Sequence, residues 1–183
     1  MARPSARWHS PTAMTRTPEF LPDLLLRKVE EQVERIQHLL LLASALPAGW
    51  TPPIAGARPI EWLYGHLLEC LAGFCAVCYA AYPDDLSHVL KLRDEQLNRS
   101  CSRETALERL PVFVGLVRDG IAAVRQEDLA RPIPTVFVPE GEALLTLLLG
   151  NLEHLISHKY QLLTYLKLAG VTVGTPDIYR FRG

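Results

Sequence analysis

Two histidines four residues apart, His154 and His158, are the clearest candidates for chemistry in this sequence. In an α-helix, residues at positions i and i+4 lie one turn above each other on the same face, so both imidazoles can reach one metal ion. Transition-metal sites usually take three or four protein ligands. The pair therefore predicts a metal site only if other ligands come from elsewhere in the chain.

His66 is the candidate for the third ligand. It lies on an apolar stripe near the start of a predicted second helix, whereas the pair lies about a dozen residues from the end of a predicted fourth helix. If these helices are antiparallel neighbours, the heights of the three imidazoles differ by less than about 10 Å at a rise of 1.5 Å per residue. Three histidines with one open position are typical of a catalytic rather than a closed structural metal site.

The spacing of the pair does not fit a metalloprotease. In the HExxH motif the residue after the first histidine is the general base, and that position is Leu155 here. The inverted motif would need a histidine where the sequence has Gly150. The pattern therefore disfavours peptide hydrolysis.

The other histidines and the cysteines give weaker signals. Cys75 and Cys78 form a CxxC, but it falls in the middle of a predicted helix, without the strand-to-helix context of a thioredoxin-type site. Buried, reduced thiols are the favoured interpretation. The cysteines are Cys70, Cys75, Cys78 and Cys101. Three histidines are interpreted as tail, surface or boundary residues: His9, His38 and His88.

Four helices are predicted to position these residues, because apolar residues recur at helical spacing between segments rich in proline and glycine. Pro111 is expected to bend the third helix, and Gly170 to end the fourth. The connection 83–100 is too long for a hairpin, so it favours a crossover that makes the third helix parallel to the second. The predicted helices are 20–46, 59–82, 102–126 and 140–169.

The rest of the chain is assigned to one domain, 18–183, preceded by a tail. Residues 1–17 are rich in Pro, Ser, Thr and Arg, which is typical of disorder, and Met14 is an alternative start. Residues 128–139 predict an extended connection. The C-terminal segment predicts a strap packed by apolar side chains, namely Val173, Ile178, Tyr179 and Phe181.

Composition excludes some classes of partner. The formal net charge is −1 with both signs interspersed, so there is no electrostatic footprint for nucleic acid or for an anionic membrane. No charge-free apolar run reaches the roughly 18 residues of a membrane span, and no apolar signal core is seen near the N-terminus. A cytoplasmic location is expected.

The wide apolar arc of the fourth helix predicts a deep position in the bundle, a subunit interface, or both.

Three segments together resemble the DinB family of damage-inducible and metal-dependent thiol-transferase-like proteins. They are Trp62-Leu63-Tyr64-Gly65-His66-Leu67, the stretch 150–162 that contains both later histidines, and Asp177-Ile178-Tyr179. The resemblance covers about residues 20–180. It implies an all-α, up-down-down-up four-helix bundle, frequent homodimers, and a divalent zinc, nickel or iron ion held at positions that match His66, His154 and His158.

Three functions follow as hypotheses. The first is a metal-dependent thiol transferase or hydrolase acting on a small molecule, in which the ion would activate a water or a low-molecular-weight thiol. The second is a non-catalytic, metal-stabilised stress or binding protein, favoured if Cys70, one turn after His66, closes the site as a fourth ligand. The third is a helical interaction module that binds no metal.

Four polar residues are candidates for orienting the imidazoles or substrate: Tyr64, Glu69, Asn151 and Gln161.

Overall fold

The computed structural model describes residues 20–90, 92, 100–135 and 138–179, and this part of the chain is mainly helical. The predicted tail 1–17, Phe181 and the dipeptide 136–137 lie outside it. A one-turn helix, α5 (Thr175–Ile178), follows the last long helix. The long helices are α1 (Leu21–Leu42), α2 (Ile60–Ala81), α3 (Arg103–Ala122) and α4 (Leu144–Leu168).

The helix ends follow local sequence signals. α2 begins directly after Pro59, whose missing N–H costs nothing there, and ends at Ala81; the next residue, Tyr82, precedes Pro83. The hydroxyl of Ser102 caps α3 by accepting a hydrogen bond from the Thr105 N–H at 3.1 Å. Gly170 follows α4 with a φ of 78°, the left-handed conformation that glycine adopts freely at a helix C-terminus.

The long helices share one hydrophobic core. α2 packs mainly against α3 and α4, and α1 packs against the same two helices. The fully buried side chains at the centre come from all four: Ile36, Leu71, Phe74, Phe113 and Leu148. Because α2 lies against α4, a side chain on the matching face of α2 can meet side chains of α4.

By length and composition alone, α2 could cross a membrane. More than half of its apolar stretch is buried inside the protein, and the core helix of a soluble protein passes the same test. The burial of α2 against α3 and α4 accounts for its apolar composition.

The fourth helix begins four residues later than the predicted start at 140. Residues 142–143 instead pair with residues 132–133 in a short antiparallel ladder, β1 (Pro132–Ile133) with β2 (Glu142–Ala143). Gly141 makes the turn into β2 with a φ of 95°, where an L side chain would be strained. The all-helical prediction therefore needs this small correction, which depends on pairing between segments and not on local periodicity.

Two helices end earlier than predicted. α1 stops at Leu42 and is followed by a 3₁₀ turn (Ala43–Ala45), and α3 stops at Ala122. Gln126, predicted to be the last helical residue, lies in a separate turn, where its side-chain oxygen accepts from the Leu21 N–H at 3.0 Å. It thereby satisfies a backbone donor in the first turn of α1, which has no side-chain cap of its own.

The C-terminal strap is only partly as predicted. Val173 and Ile178 are half-buried against the core, whereas Tyr179 is 64% exposed, so its predicted packing is wrong. The strap is tied to α1 by a polar contact, because His38 Nε2 lies 2.8 Å from Asp177 Oδ1.

Candidate metal-binding site

The structure brings His66, His154 and His158 together at the contact between α2 and α4. His66 lies in the second turn of α2, and the other two lie one turn apart on α4. The three imidazole centroids lie within 5.1 Å of one another, and every pair of rings meets edge to face. The predicted convergence of these three residues is therefore present in the fold.

The Nε2 atoms of the three rings converge. His66 Nε2 lies 3.3 Å from His154 Nε2 and 3.0 Å from His158 Nε2. Two nitrogens bound at 2.0–2.1 Å to one tetrahedral zinc ion would be about 3.4 Å apart. The spacing thus suits a common ion with little adjustment.

Two polar contacts direct the ring protons away from this convergence point. His66 Nδ1 lies 2.7 Å from Glu69 Oε2, and His158 Nδ1 lies 2.7 Å from Gln161 Oε1. A carboxylate can only accept, so a neutral His66 ring carries its proton on Nδ1 and a lone pair on Nε2. With the oxygen of the Gln161 amide facing His158, the neutral His158 ring has the same arrangement.

The resulting arrangement calls for a cation. When both rings carry their proton on Nδ1, the lone pairs of His66 Nε2 and His158 Nε2 face each other at 3.0 Å. Such a contact is repulsive until a positive charge lies nearby, and neutral imidazoles are the commonest metal ligands in proteins. The donor set of this group therefore fits a metal ion.

Burial keeps two of the rings neutral. Desolvation lowers the pKa of His154, and the charge of His66 lowers it further. Desolvation also lowers the pKa of His158, against the opposing effect of the hydrogen bond to Gln161. The neutral imidazoles of His154 and His158 consequently each have a lone pair available near neutral pH.

The contact of His158 continues outward to the loop before α2. Gln161 Nε2 donates to the Tyr165 hydroxyl at 3.1 Å, and that hydroxyl donates to the backbone oxygen of Arg58 at 3.3 Å. Tyr165 is buried, and its ring packs edge-on against Trp50 with centroids 5.8 Å apart. A hydrogen-bonded chain thus connects His158 to the main chain at the entrance to α2.

Cys70 belongs to the same group. Its sulfur lies 3.9 Å from His154 Nδ1, and one ligand atom from each of the four residues falls within 4.8 Å of the others. Burial, with a smaller effect of the Glu69 charge, raises the pKa of the Cys70 thiol to about 12. The thiol is protonated when no ion is bound, and coordination would deprotonate it. Cys70 is placed to contact His154 or to complete the ligand set.

The polar residues predicted to support the site divide into two groups. Glu69 and Gln161 contact histidine rings, as described above. Asn151 instead donates to the Leu147 carbonyl at 3.1 Å, and Tyr64 is buried on another face of α2, where burial and the charge of Glu61 raise its pKa to about 12.

Trp62 is a neighbour of the site whose role the sequence did not indicate. Its ring stacks on the imidazole of His66, with ring centroids 4.6 Å apart and an angle of 17° between the ring planes. It meets the His158 ring edge-on, with centroids 6.4 Å apart. Arg58 places its guanidinium carbon 5.8 Å from the centre of the same indole. The i, i+4 spacing of Trp62 and His66 is the signal that could have indicated the stack.

The remaining histidines take no part in the group. His38 contacts Asp177, and His88 lies 3.1 Å from Asp119 on the surface, as expected for ordinary boundary and surface residues. His9 lies outside the described residues.

Comparison with known proteins gives a match in structure. No family model matches the sequence, and no curated protein sequence matches it. The fold matches the crystal structure of a DinB-like protein, YjoA, from Bacillus subtilis, with a TM-score of 0.61 and 16% identity over 82% of this chain and 94% of that one. The match confirms the predicted resemblance at the level of the fold.

Proposed function

We propose that this chain, whose fold is that of a DinB-like protein, binds a divalent metal ion through His66, His154 and His158. We further propose that it is a metal-dependent thiol transferase or hydrolase acting on a small molecule. The observation that carries the metal site is the convergence of the three Nε2 atoms, since His66 Nε2 lies 3.3 Å from His154 Nε2 and 3.0 Å from His158 Nε2. Zinc, nickel and iron are the candidate ions, since imidazole ligands suit all three.

A bound ion of this kind would supply a Lewis acid that lowers the pKa of a coordinated water or thiol. The chain's own residues prepare for that chemistry. Glu69 and Gln161 hold the rings of His66 and His158 with their lone pairs inward. Trp62 covers one face of His66 and excludes water from it. His154 is more open to solvent, which supports access for a small substrate from that side.

A second candidate function rests on Cys70. Its sulfur lies within reach of the same ion, and a fourth protein ligand would close the coordination sphere. The protein would then be a metal-stabilised stress-response or binding protein in which the ion ties α2 to α4. Loss of folding on chelation, with a Cys70→Ala variant that loses metal, would favour this alternative.

We also infer the up-down-down-up order of the four long helices. Contacts from successive heights support α1 antiparallel to α3, α3 parallel to α2, and α2 antiparallel to α4. α1 and α3 are joined by the contacts Leu21–Gln126 and Glu30–Arg118. α2 and α3 are joined by Glu61–Cys101 and Cys78–Gly120. α2 and α4 are joined by His66–His158 and Gly73–Asn151.

A homodimer is proposed from the outer face of α4. Leu149 is 43% exposed there, and its neighbours at helical spacing, Leu145, Leu152 and Ile156, are only half-buried. At 100° per residue this stripe lies on the opposite side of α4 from His154, so an interface there leaves the histidines accessible. Light scattering after size exclusion tests it: Leu149→Glu should yield monomers, and Val112→Glu on the exposed surface of α3 should not.

A cytoplasmic location and partners limited to small molecules and a second copy complete the proposal. The four free cysteines support a reducing compartment, since secreted proteins tend to form disulfides.

Elemental analysis of the purified native protein tests the metal site. We expect about one equivalent of metal in the wild type, near none in His154→Ala, and an unchanged content in His88→Ala, which alters a surface histidine outside the group. Equal and negligible metal in all three proteins would overturn both candidate functions. An apo protein that stays folded, and whose rebound metal carries an exchangeable water, would favour the enzyme.

A further inference from the structure

We propose that Tyr165 is a positioning residue for the metal site, because its hydroxyl selects which nitrogen of His158 carries the proton. The inference rests on the proposed metal-binding function. It concerns the chain of hydrogen bonds that runs from His158 through Gln161 and Tyr165 to the Arg58 carbonyl.

Two arrangements of this chain are chemically possible, because an amide group can turn over and exchange its oxygen and nitrogen. In the first, His158 Nδ1–H donates to Gln161 Oε1, the Gln161 amide donates to Tyr165, and Nε2 of His158 is free. In the second, Gln161 donates to His158 Nδ1, the Tyr165 hydroxyl donates to Gln161, and His158 carries its proton on Nε2.

The second arrangement blocks the site. With its proton on Nε2, His158 would donate a hydrogen bond to His66 Nε2, which lies 3.0 Å away and accepts because its own proton is held by Glu69. A metal ion would have to displace that bond before it could use either nitrogen. The first arrangement leaves both lone pairs free.

The Arg58 carbonyl decides between the two. It can only accept, and the Tyr165 hydroxyl, 3.3 Å away, has one proton to give. Only the first arrangement directs that proton to Arg58; the second gives up the hydrogen bond to this carbonyl. Tyr165 is 4% exposed and packed against Trp50, so its oxygen is held where it can make this choice.

Removing the hydroxyl removes the preference. In Tyr165→Phe the blocked arrangement competes freely, and we expect zinc affinity to fall about two- to tenfold, the largest shift between two arrangements that one neutral hydrogen bond can set. Gln161→Glu provides a carboxylate that accepts from His158 Nδ1 in either orientation. In that background the tautomer no longer depends on Tyr165, so the added Tyr165→Phe change should have no further effect on affinity.

The experiment is a double-mutant cycle on the full chain, with zinc affinity measured by competition against a chromophoric chelator. The four proteins are wild type, Tyr165→Phe, Gln161→Glu and the double variant. Tyr160→Phe is the matched control, since Tyr160 is exposed on the same helix and its ring would remain beneath Lys159. Thermal unfolding of each apo protein checks that the variants fold, and the visible spectrum of the cobalt form reports the ligand geometry.

A loss of affinity confined to the Gln161 background supports the proposal. An equal loss in both backgrounds would mean that Tyr165 acts through packing alone, and no loss in Tyr165→Phe would also overturn the inference; both results leave the proposed function intact. A wild-type protein that binds no zinc, nickel or iron would instead remove the proposed function, and the inference with it.

Discussion

Gly73 on α2 lies directly against the side-chain amide of Asn151 on α4: a Cβ built on Gly73 would be 2.5 Å from Asn151 Oδ1. The amide is held in place because Nδ2 donates to the Leu147 carbonyl. This contact lies about two helical turns from His66 on α2 and within one turn of His154 on α4. The two helices that carry the histidines therefore approach closely at this point.

Replacing Gly73 by alanine is expected to displace the Asn151 amide and to push α2 and α4 apart, and so to reduce zinc affinity by up to about tenfold, because the positions of the ligands depend on their supporting contacts. Gly150→Ala is the matched control. Gly150 is one residue from Asn151, but an added Cβ meets no atom within 4 Å, so this change should raise stability by about 0.5–1 kcal/mol through helix propensity. Affinity by chelator competition and unfolding by denaturant measure both outcomes. Unchanged metal affinity in Gly73→Ala would contradict the argument.

Glu69 is expected to strengthen metal binding through His66. Glu69→Ala removes the acceptor of His66 Nδ1–H, so the ring can place its proton on Nε2, and zinc affinity should fall about 10–100-fold. Glu69→Gln can still accept and should retain most of the affinity. Glu153→Ala, which removes an exposed carboxylate on α4, controls for the loss of nearby negative charge. Equal losses in Glu69→Ala and Glu153→Ala would indicate a general electrostatic effect.

Lys159 is expected to make stability depend on pH above 8. It is buried between α4 and α1, donates to Gln32 at 2.9 Å, and has its pKa lowered to about 8, chiefly by desolvation and then by Arg35. Between about pH 8 and the ordinary value of 10.5, the unfolded chain holds more protons than the folded one, so this residue adds stability as pH rises.

The free energies of unfolding of wild type and Lys159→Met, measured at pH 7 and pH 9.5, test this. The free energy of unfolding of the wild type, relative to that of Lys159→Met, should be higher at pH 9.5 than at pH 7. The buried cysteines, whose pKa values burial raises to about 12, act oppositely above pH 9 but affect both proteins alike. A difference that is the same at both pH values would show that Lys159 does not titrate in this range.

The contact between His38 and Asp177 is expected to fasten the C-terminal strap. The hydrogen bond from His38, together with one from the Gly174 N–H, lowers the pKa of Asp177 below its usual value. The contribution of ionised Asp177 to the free energy of unfolding is therefore complete above the usual carboxyl pKa and is lost as pH falls through the folded-state pKa. Asp177→Asn should cost less than about 1 kcal/mol at pH 6, since the pair is near the surface, and less at pH 2.5 than at pH 6. Chemical denaturation at the two pH values gives the comparison, with an equal cost at both arguing against an ionic contribution.

The sequence by itself determined where the helices and the three histidines lie. The predicted bounds of the second helix differ from α2 by one residue at each end, because Pro59 and Pro83 restrict the backbone locally. The pairing of His154 with His158 follows from helix geometry alone. Glu69 and Gln161 were recognisable for the same reason, as each lies three residues after its histidine on the same helix.

Only the tertiary structure decided how these segments combine. The start of α4 depends on the ladder between β1 and β2. Gln126 lies in a turn beyond α3, where its side chain accepts from the first turn of α1. Both contacts join segments that are separate in sequence. The stack of Trp62 on His66, the approach of Asn151 to Gly73, and the hydrogen bond from Tyr165 to Arg58 likewise require two helices, or a helix and a loop, to be in place. Local periodicity specifies which face of a helix is apolar, but the distances and proton positions at the site depend on how those faces pack.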